Sequence, residues 1–387
     1  MADSKKIKSA LISVFHKDNG LDNIVKKLHE DGVTLISTGG TQSFIESLGV
    51  PCQAVESLTT YPSILGGRVK TLHPKIFGGI LGRRDEQGDQ EQMKQYEIPE
   101  IDLVIVDLYP FEQTVASGAA EQDIIEKIDI GGISLIRAAA KNYKDVVIVA
   151  SQAQYKPLLD ILEKNGAQTT LDERKFFAKE AFAVSSNYDS HIFNWFDNNE
   201  ESALRISLNN PTHLRYGENP HQKAVFYKFA NTKLEHTLAG SPCLQGKEIS
   251  YNNMLDADAA WKAASDAYNS VENVPNKVAV SVVKHLNPCG LAVASTPMRA
   301  LELAWAGDPV SAYGGIVCFT SEVDAEIASW FSGKFIEIII APSYTDEAKE
   351  ILAKKKNLRV LVTPIKPAIT GEKLYRSVTG GLLVQDE

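Results

Sequence analysis

The segment from Gly66 to Pro74 carries the residue types from which an oxyanion or phosphate receptor can be built. Its two glycines allow the backbone to turn and to approach a ligand closely. We expect an extended run after them, which would place Arg68 and Lys70 on the same side, because strand side chains repeat every second residue. Thr71 adds a hydroxyl, and Pro74 should stop a following helix from absorbing the segment. This combination suits a phosphate or a developing oxyanion, although an isolated basic loop would have the same composition.

A glycine turn at Ser37–Thr41 is a second candidate phosphate site, because it lies between a predicted strand and a predicted helix. The backbone N–H groups of such a turn, at a helix N-terminus, bind phosphate well. An ordinary turn with Thr41 as the N-cap explains the pattern equally well, since the spacing matches neither a dinucleotide motif nor a P-loop. Lys17 follows the first predicted strand and should reach the same edge of the sheet, although alone it is typical of a solvated lysine.

Three further polar residues stand where predicted elements begin or end. Tyr109 follows an apolar strand, Asp129 precedes a helix, and Lys141 ends that helix. Taken singly, they could be a packed aromatic residue and charges that complement the helix dipole. Taken together with the two glycine segments, they indicate a pocket for a small phosphorylated ligand.

The second half of the chain contains Lys284 and His285 at the end of an apolar strand. A cation beside an imidazole lowers its proton affinity and keeps it neutral, as a base requires; a strand-end pair that faces water is equally consistent. The run Arg215–Gln222 is dense in functional side chains and is rarely a mere linker. Cys289 is a poor candidate nucleophile, because the sequence offers no partner to orient it.

Strands alternate with helices along the chain, which predicts an α/β protein with a parallel sheet covered on both faces. In the first 200 residues we predict strands at Lys8–Phe15, Val33–Ser37, Leu103–Leu108 and Val146–Ala150. Helices are expected at Gly20–Asp31, Thr41–Leu48, Gly131–Lys141 and Leu171–Phe196. A polar, turn-rich stretch from residue 198 to residue 211 marks the domain boundary, and a second α/β unit follows.

Composition excludes several classes of function. The chain has 387 residues, 44% hydrophobic content and a formal net charge of −9, so a nucleic-acid surface is not expected. No apolar run approaches the length of a membrane span, and the N-terminus lacks the apolar region of a signal peptide. The four cysteines are far apart, which argues against a zinc site or a disulfide framework. We therefore expect a cytosolic protein.

These segments together resemble the bifunctional purine biosynthesis family, which combines IMP cyclohydrolase with AICAR (phosphoribosylaminoimidazolecarboxamide) formyltransferase. The resemblance rests on ordered motifs at Ser37–Thr41, Gly66–Pro74, Asp107–Phe111, Asp129–Asn142, Arg215–Gln222, Asn253 with Asp256, Lys284–Gly290 and Asp308–Gly315. It implies a cyclohydrolase domain at residues 1–200 with a fold similar to methylglyoxal synthase. It also implies a transformylase domain at 201–387, with a cytidine-deaminase-like first lobe and an incomplete second lobe.

The resemblance further assigns roles to individual residues. The nucleotide phosphate would be bound by Ser13, Lys17, Thr38, Gly39, Gly40 and Thr41. The base, where the ring closes, would be surrounded by Arg68, Lys70, Thr71, Tyr109, Asp129 and Lys141. In the transformylase, Lys284 and His285 would be the catalytic pair, and Arg215, Tyr216 and Asn253 would contact AICAR. The formyl donor would be 10-formyltetrahydrofolate, with no metal or tightly bound cofactor, and the protein would be a homodimer.

Two departures from the family pattern qualify these expectations. The family continues for more than a hundred residues beyond a position like Glu387, so we expect an intact cyclohydrolase and an impaired transformylase, to be tested by assaying the two half-reactions separately. Phe15 stands where many relatives carry a small polar residue. Two other functions stay open: a non-catalytic nucleotide-binding regulatory module, and a lyase like methylglyoxal synthase, which would not need Arg215–Gln222 or Lys284–Gly290.

Overall fold

A computed structural model describes residues 4–198, 202–229, 237–367 and 373–386. The chain divides into two compact units, Met1–Ser207 and Leu208–Glu387, and this division lies within the polar stretch of residues 198–211 where the sequence predicts the domain boundary. Within the described residues, no helix combines the length and the apolar character that crossing a membrane requires.

The first unit alternates strands and helices over its whole length. Its strands are β1 (Lys5–Lys6), β2 (Ser9–Ser13), β3 (Thr34–Ser37), β4 (Gln53–Ala54), β5 (Leu103–Val106), β6 (Val147–Val149) and β7 (Gln168–Thr169). Its helices are α1 (Leu21–Glu30), α2 (Gly39–Ser47), α3 (Val55–Thr59), α4 (Pro74–Leu81), α5 (Gln87–Gln95), α6 (Phe111–Ala116), α7 (Glu121–Ile125), α8 (Gly131–Lys141), α9 (Tyr155–Asn165) and α10 (Leu171–Asp197).

The central sheet of this unit has the order β4-β3-β2-β5-β6, and all of its strands are parallel, as predicted. Apolar strands such as β5 are buried at every residue, because helices cover both faces. The chain builds the sheet outward from β2 to β4 and then returns to add β5 and β6 on the other side. The strand order therefore reverses between β2 and β5, and the crevice at their carboxyl ends is where open α/β sheets bind ligands.

The second unit is also α/β, but its main sheet is mixed. Its strands are β8 (Thr212–Leu214), β9 (Ala224–Phe226), β10 (Cys243–Gln245), β11 (Val278–Lys284), β12 (Asn287–Ala294), β13 (Ile316–Phe319), β14 (Ile338–Ala341), β15 (Arg359–Val362), β16 (Lys373–Val378) and β17 (Gly381–Asp386). Its helices are α11 (Tyr251–Ser270), α12 (Pro297–Gly307), α13 (Ala325–Trp330) and α14 (Asp346–Ala353). The sheet order is β10-β15-β14-β13-β11-β12, with parallel pairing only among β13, β14 and β15.

The segment after Gly66 is not extended, and this prediction was wrong. Residues Leu65–Gly67 form a 3₁₀ turn in which all three have positive φ, and the turn is closed by the bridge between Ile64 and Val69. Two consecutive glycines tolerate this backbone at little cost, which is why the chain folds back instead of continuing as a strand. Pro74 begins α4, because the first helical position needs no N–H donor, and the helix does not extend back into the segment, as predicted.

Candidate active site

The C-terminal edge of the parallel sheet gathers most of the residues that the sequence singled out in the first unit. Ser13 ends β2 and pairs with Val106 at the end of β5. Ser37 ends β3, and its hydroxyl donates to the carbonyl of Ile12 at 2.7 Å. This bond ties two neighbouring strand ends together, so the loops that leave them start from fixed positions.

The N-terminus of α2 is fastened directly to the end of β2. The Thr41 hydroxyl accepts a hydrogen bond from the N–H of Val14 at 3.2 Å and donates to the carbonyl of the same residue at 3.0 Å. Thr41 is therefore not the N-cap. That position belongs to Thr38, whose hydroxyl instead donates to Glu56 at 2.7 Å. With no side chain capping the helix, the first N–H groups of α2 are available to an anion.

Two lysines converge on this helix terminus from different parts of the chain. A Cβ atom placed on Gly39 would lie 3.7 Å from Nζ of Lys70, and one placed on Gly40 would lie 3.8 Å from Nζ of Lys17. Gly39 also has a φ of +53°, which disfavours any other residue there. Two ammonium groups beside a helix N-terminus form a strongly anion-attracting site.

Arg68 does not accompany Lys70. Its guanidinium is mostly exposed and pairs with Glu126, because the tight turn separates the two side chains instead of aligning them. Thr71 is buried, and a Cβ atom on Gly131 would lie 3.5 Å from its hydroxyl. Consecutive residues therefore reach two helix N-termini: Lys70 lies at α2 and Thr71 at α8.

Tyr109 and Asp129 lie together at the N-terminus of α8. The Asp129 carboxylate accepts hydrogen bonds from the N–H of Gly132, at 2.6 Å, and from the backbone of Tyr109. Burial raises the pKa of the Asp129 carboxyl. Burial, and then the charge of Asp129, also raise the pKa of the Tyr109 phenol. A neutral phenol thus stands beside a carboxyl group that holds its proton more strongly than usual, a pair suited to proton transfer.

Lys141 lies at the opposite end of α8 from Asp129. Eleven residues of α-helix place the two termini about 15 Å apart. Four residues later, Asp145 pairs with Lys5, which precedes the first strand of the sheet, so this end of α8 lies at the N-terminal edge. Within one copy of the chain, the structure does not bring Lys141 together with the other site residues.

Asp107 and His16 belong to this region, although they were not among the predicted site residues. The buried Asp107 carboxylate accepts hydrogen bonds from the N–H groups of Phe15 and His16, and its Oδ2 lies 2.7 Å from Nδ1 of His16. Phe15 packs edge-on against Tyr109, with 5.5 Å between the ring centroids. The sequence signals were that Asp107 follows the apolar β5 segment and begins the Asp107–Phe111 motif. Its partners are some ninety residues away and could not be identified from local pattern.

In the second unit, Lys284 and His285 lie at a tight hairpin turn between β11 and β12. His285 and Leu286 both have positive φ, and the Asp256 carboxylate accepts the N–H of each, at 3.2 and 2.7 Å. Lys284 donates through Nζ to the carbonyl of Tyr313 at 2.8 Å. The imidazole of His285 is exposed, whereas the turn that carries it is held by a carboxylate from α11.

The Arg215–Gln222 run forms the loop of the β8–β9 hairpin. Arg215 donates to the Tyr216 hydroxyl at 2.7 Å and lies over its ring, so these two predicted AICAR contacts form one unit. The loop meets α11 where Asn252 donates to the carbonyl of Glu218 at 3.0 Å. Asn253 instead accepts from the N–H of Ser250 in a capping box, a structural role that its predicted contact with AICAR would have to share.

Asn252 and Asp256 are four residues apart and therefore lie on one face of α11. Through them, a single helix contacts both the Arg215–Gln222 loop and the His285 turn. Burial raises the pKa of the Cys289 thiol, which keeps it protonated and agrees with the expectation that it is not a nucleophile.

Comparison with known proteins covers both units. A family model described as "AICARFT/IMPCHase bienzyme" matches residues 139–387, and one described as "MGS-like domain" matches residues 20–134. The chain is 59% identical over its whole length to the "Bifunctional purine biosynthesis protein PurH" of Bacteroides thetaiotaomicron, covering 73% of that protein. It is 46% identical to the PurH of Listeria monocytogenes serotype 4b (98% of this chain, 73% of the relative) and 44% identical to that of Rhodospirillum rubrum (100% and 72%).

Proposed function

The chain belongs to the AICARFT/IMPCHase bienzyme family, and we propose that the C-terminal edge of its first sheet closes the purine ring of IMP. The family joins the last two steps of purine biosynthesis: formyl transfer to AICAR and cyclisation of formyl-AICAR. The proposal depends above all on the consecutive residues Lys70 and Thr71, which reach the N-termini of α2 and α8. A substrate that binds its phosphate at the N-terminus of α2 would then have its reacting groups near Tyr109 and Asp129, at the N-terminus of α8.

Ring closure needs one C–N bond to form and one water to leave. The carboxamide nitrogen attacks the formyl carbon and loses one proton, and the formyl oxygen becomes an oxyanion that is protonated to a hydroxyl. This hydroxyl is protonated again and leaves as water, while the formamido nitrogen loses its proton and forms the C=N bond of the ring. In our proposal Lys70 stabilises the oxyanion, an interaction of a kind worth about 3–4 kcal/mol when a preorganised donor is lost. Asp129 takes the proton of the attacking nitrogen, because a carboxyl with a raised pKa is the stronger base. Tyr109, kept neutral by its own raised pKa, donates to the departing hydroxyl.

The phosphate end of the substrate would be bound by the elements around the α2 N-terminus. Lys17 supplies an ammonium group to the phosphate, which leaves Lys70 for the oxyanion, and the backbone of Gly39 and Gly40 permits close approach. Thr38, Thr41 and Ser13 support this end, since the side chain of Thr41 fixes α2 to β2. Arg68 would have to leave Glu126 before it could reach the substrate.

For the second unit we propose formyl transfer from 10-formyltetrahydrofolate to AICAR, with His285 as the base and Lys284 as its charged neighbour. Arg215 and Tyr216 would contact the nucleotide of AICAR. The links from α11 to both loops support this proposal, because they place these residues around one helix N-terminus. A cytosolic homodimer completes the proposed assignment.

The cyclohydrolase proposal is tested by following absorbance as formyl-AICAR is converted to IMP. We expect the unmodified chain to catalyse the reaction and Lys70→Met to lower kcat by about 10²–10³-fold. Lys26→Met is the matched control, because Lys26 is exposed on α1 and forms an ion pair with Asp22, away from the site. Binding of IMP without any turnover by the unmodified chain would contradict the proposal and favour a regulatory module.

A further inference from the structure

The His16–Asp107 pair stands at the point where the strand order reverses, yet the proposed chemistry does not use it. The Asp107 carboxylate already accepts hydrogen bonds from two backbone N–H groups. The third contact, from Nδ1 of His16 at 2.7 Å, is therefore a donated hydrogen bond. The imidazole thus keeps its proton on Nδ1 and presents Nε2, for which the described part of the chain supplies no hydrogen-bond partner.

The loop that carries His16 is fixed at both sides. Asp107 holds it to the end of β5, and the two hydrogen bonds between Val14 and Thr41 hold it to the N-terminus of α2. Lys17, the next residue, brings its ammonium group to Gly40. The His16 side chain is 39% exposed, and it belongs to the loop that Thr41 connects to the N-terminus of α2.

We propose that protonated His16 binds the phosphate of the nucleotide substrate through Nε2–H, with Asp107 holding the ring in place. The proposal rests on the proposed function, because it takes the ligand at α2 to be a nucleoside monophosphate. A charged imidazole donates a charge-assisted hydrogen bond to a phosphate dianion, whereas a neutral one with its proton on Nδ1 presents a lone pair and repels it. His16 would therefore make phosphate binding depend on pH in the range where histidine loses its charge.

Charged groups of both signs surround the loop that carries His16. The Asp107 carboxylate lies against the imidazole, and Asp18 lies two residues after His16. Lys17 directly follows His16, and Lys127 lies over the Phe15 ring, 5.6 Å from its centroid. A bound phosphate dianion would favour a protonated imidazole.

The experiment compares KM and kcat for formyl-AICAR at pH 6.5 and pH 8.5. We expect His16→Gln to raise KM about tenfold at the lower pH and much less at the higher pH, with kcat nearly unchanged. Because substrate phosphate also titrates near pH 6, every comparison is made with the unmodified chain at the same pH. His16→Lys should keep KM low at both pH values, since its charge does not depend on pH in this range.

Two controls distinguish binding from a structural effect. His29→Gln, on the exposed end of α1, should change nothing. In NMR spectra at pH 7, addition of IMP should move the His16 ring resonance toward its protonated position. Equal KM values for His16→Gln and the unmodified chain, or a loss confined to kcat, would overturn the proposal. If the unmodified chain shows no turnover, the proposed function fails, and the IMP affinities of the same variants still decide the role of His16.

Discussion

The two candidate sites are assembled in opposite ways. In the first unit, residues from several distant segments meet because parallel strands end at one edge and helix N-termini point toward it. In the second unit, Lys284 and His285 are neighbours in sequence on an exposed hairpin turn, and two N–H groups of this turn bond to the Asp256 carboxylate. The edge of a sheet can thus bring the residues of a site together and partly bury them. A hairpin turn leaves its residues exposed, and contacts from other elements must fix their positions.

Inactivating each site separately gives the clearest test of this difference between the two sites. His285→Gln should lower the rate of formyl transfer, relative to whatever rate the unmodified chain supports, by about 10²–10⁴-fold, because general base catalysis is lost. Cyclisation of formyl-AICAR should not change. Lys70→Met should give the reverse pattern. The two rates are measured separately on each variant, and a variant that lowers both equally would show that the sites are not independent.

A test of Lys141 could overturn this comparison. A catalytic Lys141 would mean that the first site is completed by a second copy of the chain. If Lys141 is catalytic, the length of α8 requires it to act in the pocket of a partner, and Lys141→Met should lower cyclisation by about tenfold or more. Mixing inactive Lys70→Met with Lys141→Met after subunit exchange should restore activity. Half of the dimers are then mixed, and one of their two pockets has both lysines, so about a quarter of the pockets recover.

The control for this experiment is a mixture of each variant with itself, which should keep the low activity of that variant and show no recovery. Loss of activity in Lys141→Met without recovery on mixing would contradict a role across the dimer. An active Lys141→Met would remove Lys141 from the catalytic set altogether.

The hydrogen bonds that hold the two sites in place should also contribute different amounts to the free energy of unfolding. Thr41→Val removes a buried hydroxyl that accepts from and donates to Val14, which should destabilise the first unit by about 2 kcal/mol. Asp256→Asn leaves an acceptor at an exposed turn and should cost the second unit about 1 kcal/mol or less. Hydrogen exchange followed by mass spectrometry reports each unit separately. A larger loss in Asp256→Asn would show that the hairpin tip is the more tightly supported site.

The sequence predicted the first site better than it predicted the contacts that hold it. The spacing of apolar residues located β2, β3, β5 and α8 to within a few residues. In a parallel sheet, the ends of β2, β3 and β5 must then lie at the same edge. The sequence could not show that Thr41 bonds to Val14, that Arg68 turns away to Glu126, or that His16 pairs with Asp107. Each of these depends on residues far apart in the chain. The same spacing predicted β11 but missed its hairpin partner β12, whose start at Asn287-Pro288 is typical of a loop.

The smallest predicted effect concerns the dependence of stability on pH. Burial raises the pKa of Asp129 in the folded protein, so the folded state binds that proton more tightly than the unfolded chain does. The carboxyl therefore contributes stability below its ordinary pKa near 3.9, and this contribution is lost as the pH rises through the raised value. Asp129→Asn cannot titrate. The unfolding free energy of the unmodified chain, minus that of the variant, should fall from pH 4 upward and then level off.

Urea unfolding of both proteins between pH 4 and pH 8 measures this difference, and Asp85→Asn on an exposed loop serves as the control. A difference that rose with pH would mean that the Gly132 and Tyr109 hydrogen bonds to the carboxylate outweigh its burial. Asp129 would then be an ionised anchor of α8, and not a base for ring closure. The first site would in that case resemble the second, with a carboxylate that positions backbone N–H groups while another residue moves the proton.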